Sequence, residues 1–174
     1  MSSRIDFLIE KLNLKAHPEG GFFNETYRCV ESVKKENLPP RFSGDRAHCT
    51  SIYFLLTSEN YSALHKIQSD EMWHHYEGST LEIYSIDDNG KLIIHALGKN
   101  LENNEQPQLV IKAGEWFGSK VKDKDSYALV GCTVSPGFDF ADFELGDKNE
   151  LLQKFPQHKE VIEKLAHKTY IKNG

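Results

Sequence analysis

Apolar residues change their period along this chain, and the changes mark its elements. In residues 3 to 13, Ile5, Leu8, Ile9 and Leu12 recur at helical spacing, and Ser3 with Asp6 three residues on has the form of a capping box. An amphipathic helix is predicted there, and it needs a surface to lie on. After the turn-like AHPEGG, the segment FFNETYRCV (22–30) is aromatic and β-branched enough for a strand. Residues 31 to 46, polar and carrying Pro39-Pro40, read as a long loop.

From residue 50 to residue 134 short strands follow one another: TSIYFLLT (50–57), ALHKIQ (63–68), EMWHHYE (71–77), LEIYSI (81–86), KLIIHAL (91–97), QLVIKAG (108–114) and SYALVGCTV (126–134). Asn89-Gly90 lies between two alternating runs, the strongest short-range hairpin signal, so 81–86 and 91–97 should pair antiparallel. FDFADFEL (138–145) is the last expected strand. Asp147 is placed to cap a short helix over NELLQKF, and Val161, Ile162 and Leu165 mark a further helix in residues 157 to 168. The pattern predicts one all-β domain, a barrel over about 20–145, with a helix at 3–13 before it and helices over about 147–171 after it.

Composition narrows the function. At 174 residues the chain is about one domain long. A net charge of -5 with scattered Lys and Arg gives no electrostatic footprint for nucleic acid or an anionic membrane. Asp6 and Glu10 interrupt the first apolar segment, so a secretion signal is not expected, and the cytoplasm is the expected compartment. Cys29, Cys49 and Cys132 are odd in number and far apart, which speaks for buried strand thiols rather than a disulfide framework.

Candidate chemistry concentrates in ALHKIQSDEMWHHYEG (63–78). His65, Glu71 and Gly78 have the spacing of the first cupin motif, with Ile67 where a second His is expected. The second motif places a His three residues after a glycine, and Phe117 stands there after Gly114. Together with HPEGGFFNETYR (17–28), TSIYFLL (50–56), AGEWF (113–117) and VGCTVSPGFDFADFEL (130–145), these segments resemble the fifth cupin family. The similarity runs from about Leu12 to Leu145. It implies a double-stranded β-helix, usually dimeric, with a pocket in the barrel mouth and no assigned reaction. The related sugar-nucleotide epimerases are also cupins, and their base occupies the position that His65 matches.

Three readings of the site follow. In the first, no cofactor is needed: His65 is a general base oriented by Glu71, with Tyr53 or Tyr127 as candidate acid, in an isomerase or epimerase acting on a sugar-like or nucleotide-sugar ligand. In the second, the pocket only binds or senses a small molecule, with Trp73 and Trp116 as flat walls and Glu25, Arg28, Arg46, Tyr53 and His74 as further contacts. Strand parity allows only one of Glu25 and Arg28 to point inward. In the third, a divalent metal sits on His65 and Glu71; Ile67 and Phe117 remove two ligands from that set. Parity puts His74 opposite Glu71, and His75 lies on the order of 13 Å along the strand. A homodimer is expected from the resemblance and from the edge strands of an open jelly-roll.

Overall fold

The computed structural model describes residues 3–166. Helix α1 (Arg4–Lys11) begins at the predicted box: the Ser3 hydroxyl accepts from the Asp6 N–H, and the Asp6 carboxylate accepts from the Ser3 N–H. Thirteen strands follow in chain order: β1 (Lys15–Ala16), β2 (Phe22–Arg28), β3 (Ser32–Val33), β4 (Arg46–Ala47), β5 (Thr50–Thr57), β6 (Tyr61–Lys66), β7 (Asp70–Gly78), β8 (Leu81–Ile86), β9 (Leu92–Leu97), β10 (Gln108–Ile111), β11 (Trp116–Val121), β12 (Tyr127–Ser135) and β13 (Glu144–Leu145). Helices α2 (Lys148–Lys154), capped by Asp147, and α3 (Lys159–Leu165) close the described chain. The expected continuation of the last helix beyond Ala166, with His167, lies outside the described residues.

Two antiparallel sheets face each other, ordered β1-β2-β5-β12-β7-β10 and β13-β6-β11-β8-β9, which is the all-β jelly-roll that the strand pattern predicts. Asn89-Gly90 joins β8 to β9 in register from Leu81↔Leu97 to Ile86↔Leu92. Alternation then divides the apolar residues between three clusters. Inward residues such as Phe54, Ile67, Trp73, Phe117 and Val130 fill the space between the sheets. Outward Leu64, Tyr84 and Trp116 pack under Leu151, Phe155 and Ile162 of the C-terminal segment. On the other outer face Leu55 and Leu129 meet Leu8 of α1, the surface that helix required. The helices are therefore lids on two half-apolar sheets.

Three expectations need correction. Strand β11 was absent from the sequence pattern, yet it lies between β6 and β8. Gly118-Ser119-Lys120 breaks its apolar run, and the glycine is there because a Cβ would come within 2.8 Å of the Ser62 carbonyl oxygen. The loop at 31–46 contains β3 and β4, paired through Ser32↔Ala47 and Val33↔Arg46. The segment 138–145 is mostly a 3-10 turn (Phe140–Asp142), because the Asp139 carboxylate accepts from the Ala141 N–H and folds the chain back before the short β13. All three cysteines are free; Cys132 is buried, whereas Cys29 and Cys49 are half-buried just outside the strands.

Candidate functional site

A cavity of about 270 Å³ opens between the sheets, with β2, β5, β7 and β12 on one side, β6 on the other, and the turn after β12 over its mouth. Its deep part holds His17, Glu19, His65 and Glu71, and Phe23, Ile52 and Ile67 supply apolar wall. Glu25, Arg28 and Asp139 stand exposed at the rim beside Phe138 and Phe140.

His65 is buried on β6, with its ring 4.1 Å from that of Phe117 and 5.3 Å from that of Phe143. Its Nδ1 lies 2.7 Å from the Ala63 carbonyl oxygen and 3.0 Å from Glu19 Oε2. Both neighbours are acceptors, so Nδ1 carries the proton, and the Ala63 carbonyl and Glu19 Oε2 share it. This fixes the tautomer and leaves Nε2 with its lone pair free; among the described residues nothing pairs with it.

The partner of His65 is thus Glu19, not Glu71 as expected. Glu19 reaches β6 because the chain turns at Gly20 and Gly21, with φ of 115° and 74°. A side chain at Gly20 would collide with the Tyr61 carbonyl. The Ala63 N–H donates to the Glu19 carbonyl (3.0 Å) and the Ser62 hydroxyl to Glu19 Oε1 (2.9 Å), which pins the carboxylate against the strand.

Burial penalises the charge on each of these groups, and their mutual attraction decides the outcome. For Glu19 burial pushes upward, but the charge of and hydrogen bond from His65, aided by His17 and Ser62, bring the carboxyl below its ordinary value. For His65 burial pushes downward, but Glu19, the Ala63 carbonyl and, to a lesser extent, Glu71 raise it above its ordinary value. Glu71 has no such partner. Burial, opposed by His65 and reinforced by Glu19, pushes its carboxyl up to about 7, beside the thiol of Cys132. The cavity therefore pairs a carboxylate with an imidazole that it makes more basic, beside a carboxyl that holds its proton near neutrality.

Glu25 and Arg28 both face the cavity, which overturns the parity expectation. The register of β2 against β5 shifts between Glu25 and Tyr27, a bulge that re-aims the strand. Arg28 donates from Nε and Nη2 to the Glu25 carboxylate (2.9 and 2.7 Å) and from Nη1 to the Phe138 carbonyl (3.1 Å).

Five expected contacts lie elsewhere. Arg46 is buried in an ion pair with Asp142, at 2.6 Å from both Nε and Nη2. Tyr53 packs edge-on against Tyr76, beside the cluster under α1. Trp73 is 1% exposed, wedged between Phe54 and Phe117 in the core. His74 points to the outer face and stacks on Tyr76, as its parity required. Trp116 faces the C-terminal helices under Lys66. Tyr127 donates to Glu77 on the outer surface, so neither tyrosine is placed as an acid. His75 is buried but bonded to the Ser79 carbonyl, away from the cavity.

For a divalent ion the donor set is short: Ile67 and Phe117 are apolar, and among the described residues no three His, Cys, Asp or Glu side chains are arranged to hold a metal. Neither the place of His17 in the cavity nor the pairing of Glu19 with His65 is legible in the sequence; the signal beside them is Gly20-Gly21, which calls for an unusual backbone path.

The two-sheet barrel with a histidine-bearing mouth defines a cupin-type pocket protein. A family profile described as Cupin superfamily (DUF985) matches residues 6–146, and the chain belongs to that family. It is similar to protein SO0799 from Shewanella oneidensis (39% identity, 97% of this chain and 100% of that one, TM-score 0.86). A hypothetical protein from Leishmania major is similar as well (34%, 95% and 100%, TM-score 0.86). An uncharacterised protein of Saccharomyces cerevisiae, YML079W, is 27% identical over 80% of this chain and 74% of its own. Oxalate decarboxylase from Bacillus subtilis shares the fold alone, at 17% identity and a TM-score of 0.53; 88% of this chain corresponds to 37% of that one.

Proposed function

We propose that the cavity takes a neutral, sugar-like carbonyl compound and isomerises or epimerises it without a metal, His65 Nε2 accepting a proton from the carbon next to the carbonyl. The observation that carries this reading is the fixed His65 tautomer: its donor nitrogen is held by Ala63 and Glu19, and its basic nitrogen is free in a ring that walls the cavity. Glu71, holding its proton to about 7, is the acid that returns a proton to carbon. Arg28 is the one permanent cation among the lining residues, and Glu19, Glu25 and Asp139 outnumber it, which favours an uncharged ligand over an anion. At about 270 Å³ the space is near the small end of ligand pockets, roughly 300 Å³, so a single sugar ring fits and the nucleotide of a nucleotide sugar would extend past the mouth.

The test is solvent exchange. Keto sugars and nucleotide keto sugars incubated with the protein in deuterated water are expected to take up deuterium next to the carbonyl, and His65→Ala to lose at least 100-fold of that rate. Undiminished exchange in the variant would sink the acid/base role. Tight binding with no exchange across the panel would favour a binding module.

We also propose a homodimer in the cytoplasm. On its outer edge β2 pairs with β1 only at Phe22 and Phe23, and Tyr27 beyond them is 52% exposed, so this edge is available to a second copy. Light scattering that shows a monomer at micromolar concentration would count against the dimer. No helix of the described chain is long and apolar enough to cross a membrane.

A further inference from the structure

Two imidazoles wall the cavity, and the proton transfer above uses only one. The other, His17, opens the turn that carries Glu19. Its ring stands edge-on to Phe23 (4.6 Å, 82°) and to Phe54 (5.7 Å, 75°), which fixes its plane. The Glu19 N–H donates to His17 Nδ1 at 3.3 Å. A nitrogen that accepts a hydrogen bond carries no proton, so the neutral ring has its proton on Nε2. Nδ1 lies 3.7 Å from Glu19 Oε1, too far for a hydrogen bond, and that oxygen is already served by Ser62. Among the described residues nothing pairs with Nε2.

The two rings flank one carboxylate with opposite tautomers. Burial disfavours a charge on His17; this outweighs the attraction of Glu19, and the charge on His65 acts in the same sense as burial. Glu19 thus shares its charge with His65 and leaves His17 a neutral N–H donor. A neutral imidazole is suited to an oxygen that becomes negative during reaction, because it donates without first being deprotonated.

We propose that His17 donates its Nε2–H to the carbonyl oxygen of the ligand and stabilises the enolate oxygen formed when His65 removes the neighbouring proton. This rests on the proton-transfer reading. The step balances without oxidant or reductant: His65 Nε2 takes the proton, the C–H electron pair becomes the carbon–carbon double bond, and the carbonyl π pair moves to the oxygen held by His17. Proton delivery from Glu71 to carbon then restores the carbonyl.

The experiment is nitrogen-15 NMR of the histidine rings in the full chain, with acetohydroxamate as a planar oxyanion probe. His17 is expected to be neutral with its proton on Nε2 at pH 7, and the probe to shift that nitrogen. His17→Phe is expected to weaken probe binding about tenfold, and His17→Gln, which keeps an N–H donor, by less. A proton on Nδ1, a cationic ring at pH 7, unchanged probe affinity in His17→Phe, or no binding to the wild type would each overturn the proposal. Should His17→Phe not fold, the tautomer and His17→Gln decide; equal affinity loss in Gln and a folded His17→Ala would overturn it. Probe binding through His17 with no sugar exchange would sink the proposed reaction and leave His17 as the donor.

Discussion

Replacing Arg46 with alanine is expected to destabilise the protein by about 3 kcal/mol, the lower end for breaking a buried ion pair, and to lower Tm by roughly 6–12 °C. Arg46 and Asp142 are each 5% exposed and meet through two 2.6 Å contacts. Without the guanidinium, the Asp142 carboxylate stays buried with no counter-charge. The damage should also reach the cavity, because Asp142 lies in the turn that carries Phe138, Phe140 and Phe143 over its mouth. Arg46 therefore positions a cavity wall without touching what binds there. Thermal unfolding checks this: a Tm within 2 °C of the wild type would show the pair to be dispensable. The double change Arg46→Met with Asp142→Leu should recover most of the loss, since a packed apolar pair replaces the ions.

The error over Arg46 shows which information the chain carries locally. The hairpin at Asn89-Gly90, the caps Ser3 and Asp147 and the outward facing of His74 depend on neighbours a few residues away, and they stand in the structure as the pattern predicts. Partner choice does not depend on near neighbours. Glu19 meets His65 from 46 positions away and Arg46 meets Asp142 from 96, and no periodicity relates such residues. Alternation says that Trp73 and Trp116 lie on definite faces, but not which face is core and which is covered by a helix. The bulge in β2 is the opposite case: it changes local parity, and so both Glu25 and Arg28 reach the mouth. His65 was legible because its spacing to Glu71 resembles a family motif, but its working partner lay in a turn whose glycines gave the only hint.

Exchanging Glu71 for glutamine is expected to stabilise the protein at pH 8 and leave it unchanged at pH 5, while deuterium exchange falls at least 100-fold. The sign follows from proton binding. In the folded chain the Glu71 carboxyl titrates at about 7, against 4.5 ordinarily, so between these values the folded state holds a proton that the unfolded state has lost. Stability therefore falls as pH rises through that window, by about 3 kcal/mol at roughly 1.4 kcal/mol per unit. His65 acts in the same direction: raised above 6.5, it contributes fully below that value and loses its contribution as pH rises through its folded value. Glu19 opposes them, contributing above 4.5 and losing it as pH falls. The wild type should thus be most stable near pH 5, and Glu71→Gln should remove only the Glu71 part of the decline, raising Tm at pH 8 by roughly 6–12 °C. Equal stability of the two proteins at pH 8 would contradict a buried carboxyl whose hydrogen-bond partner is only the Cys132 thiol. A variant that is more stable and inactive is what a group retained for proton transfer predicts, because a carboxyl kept only for the fold would not weaken it at neutral pH.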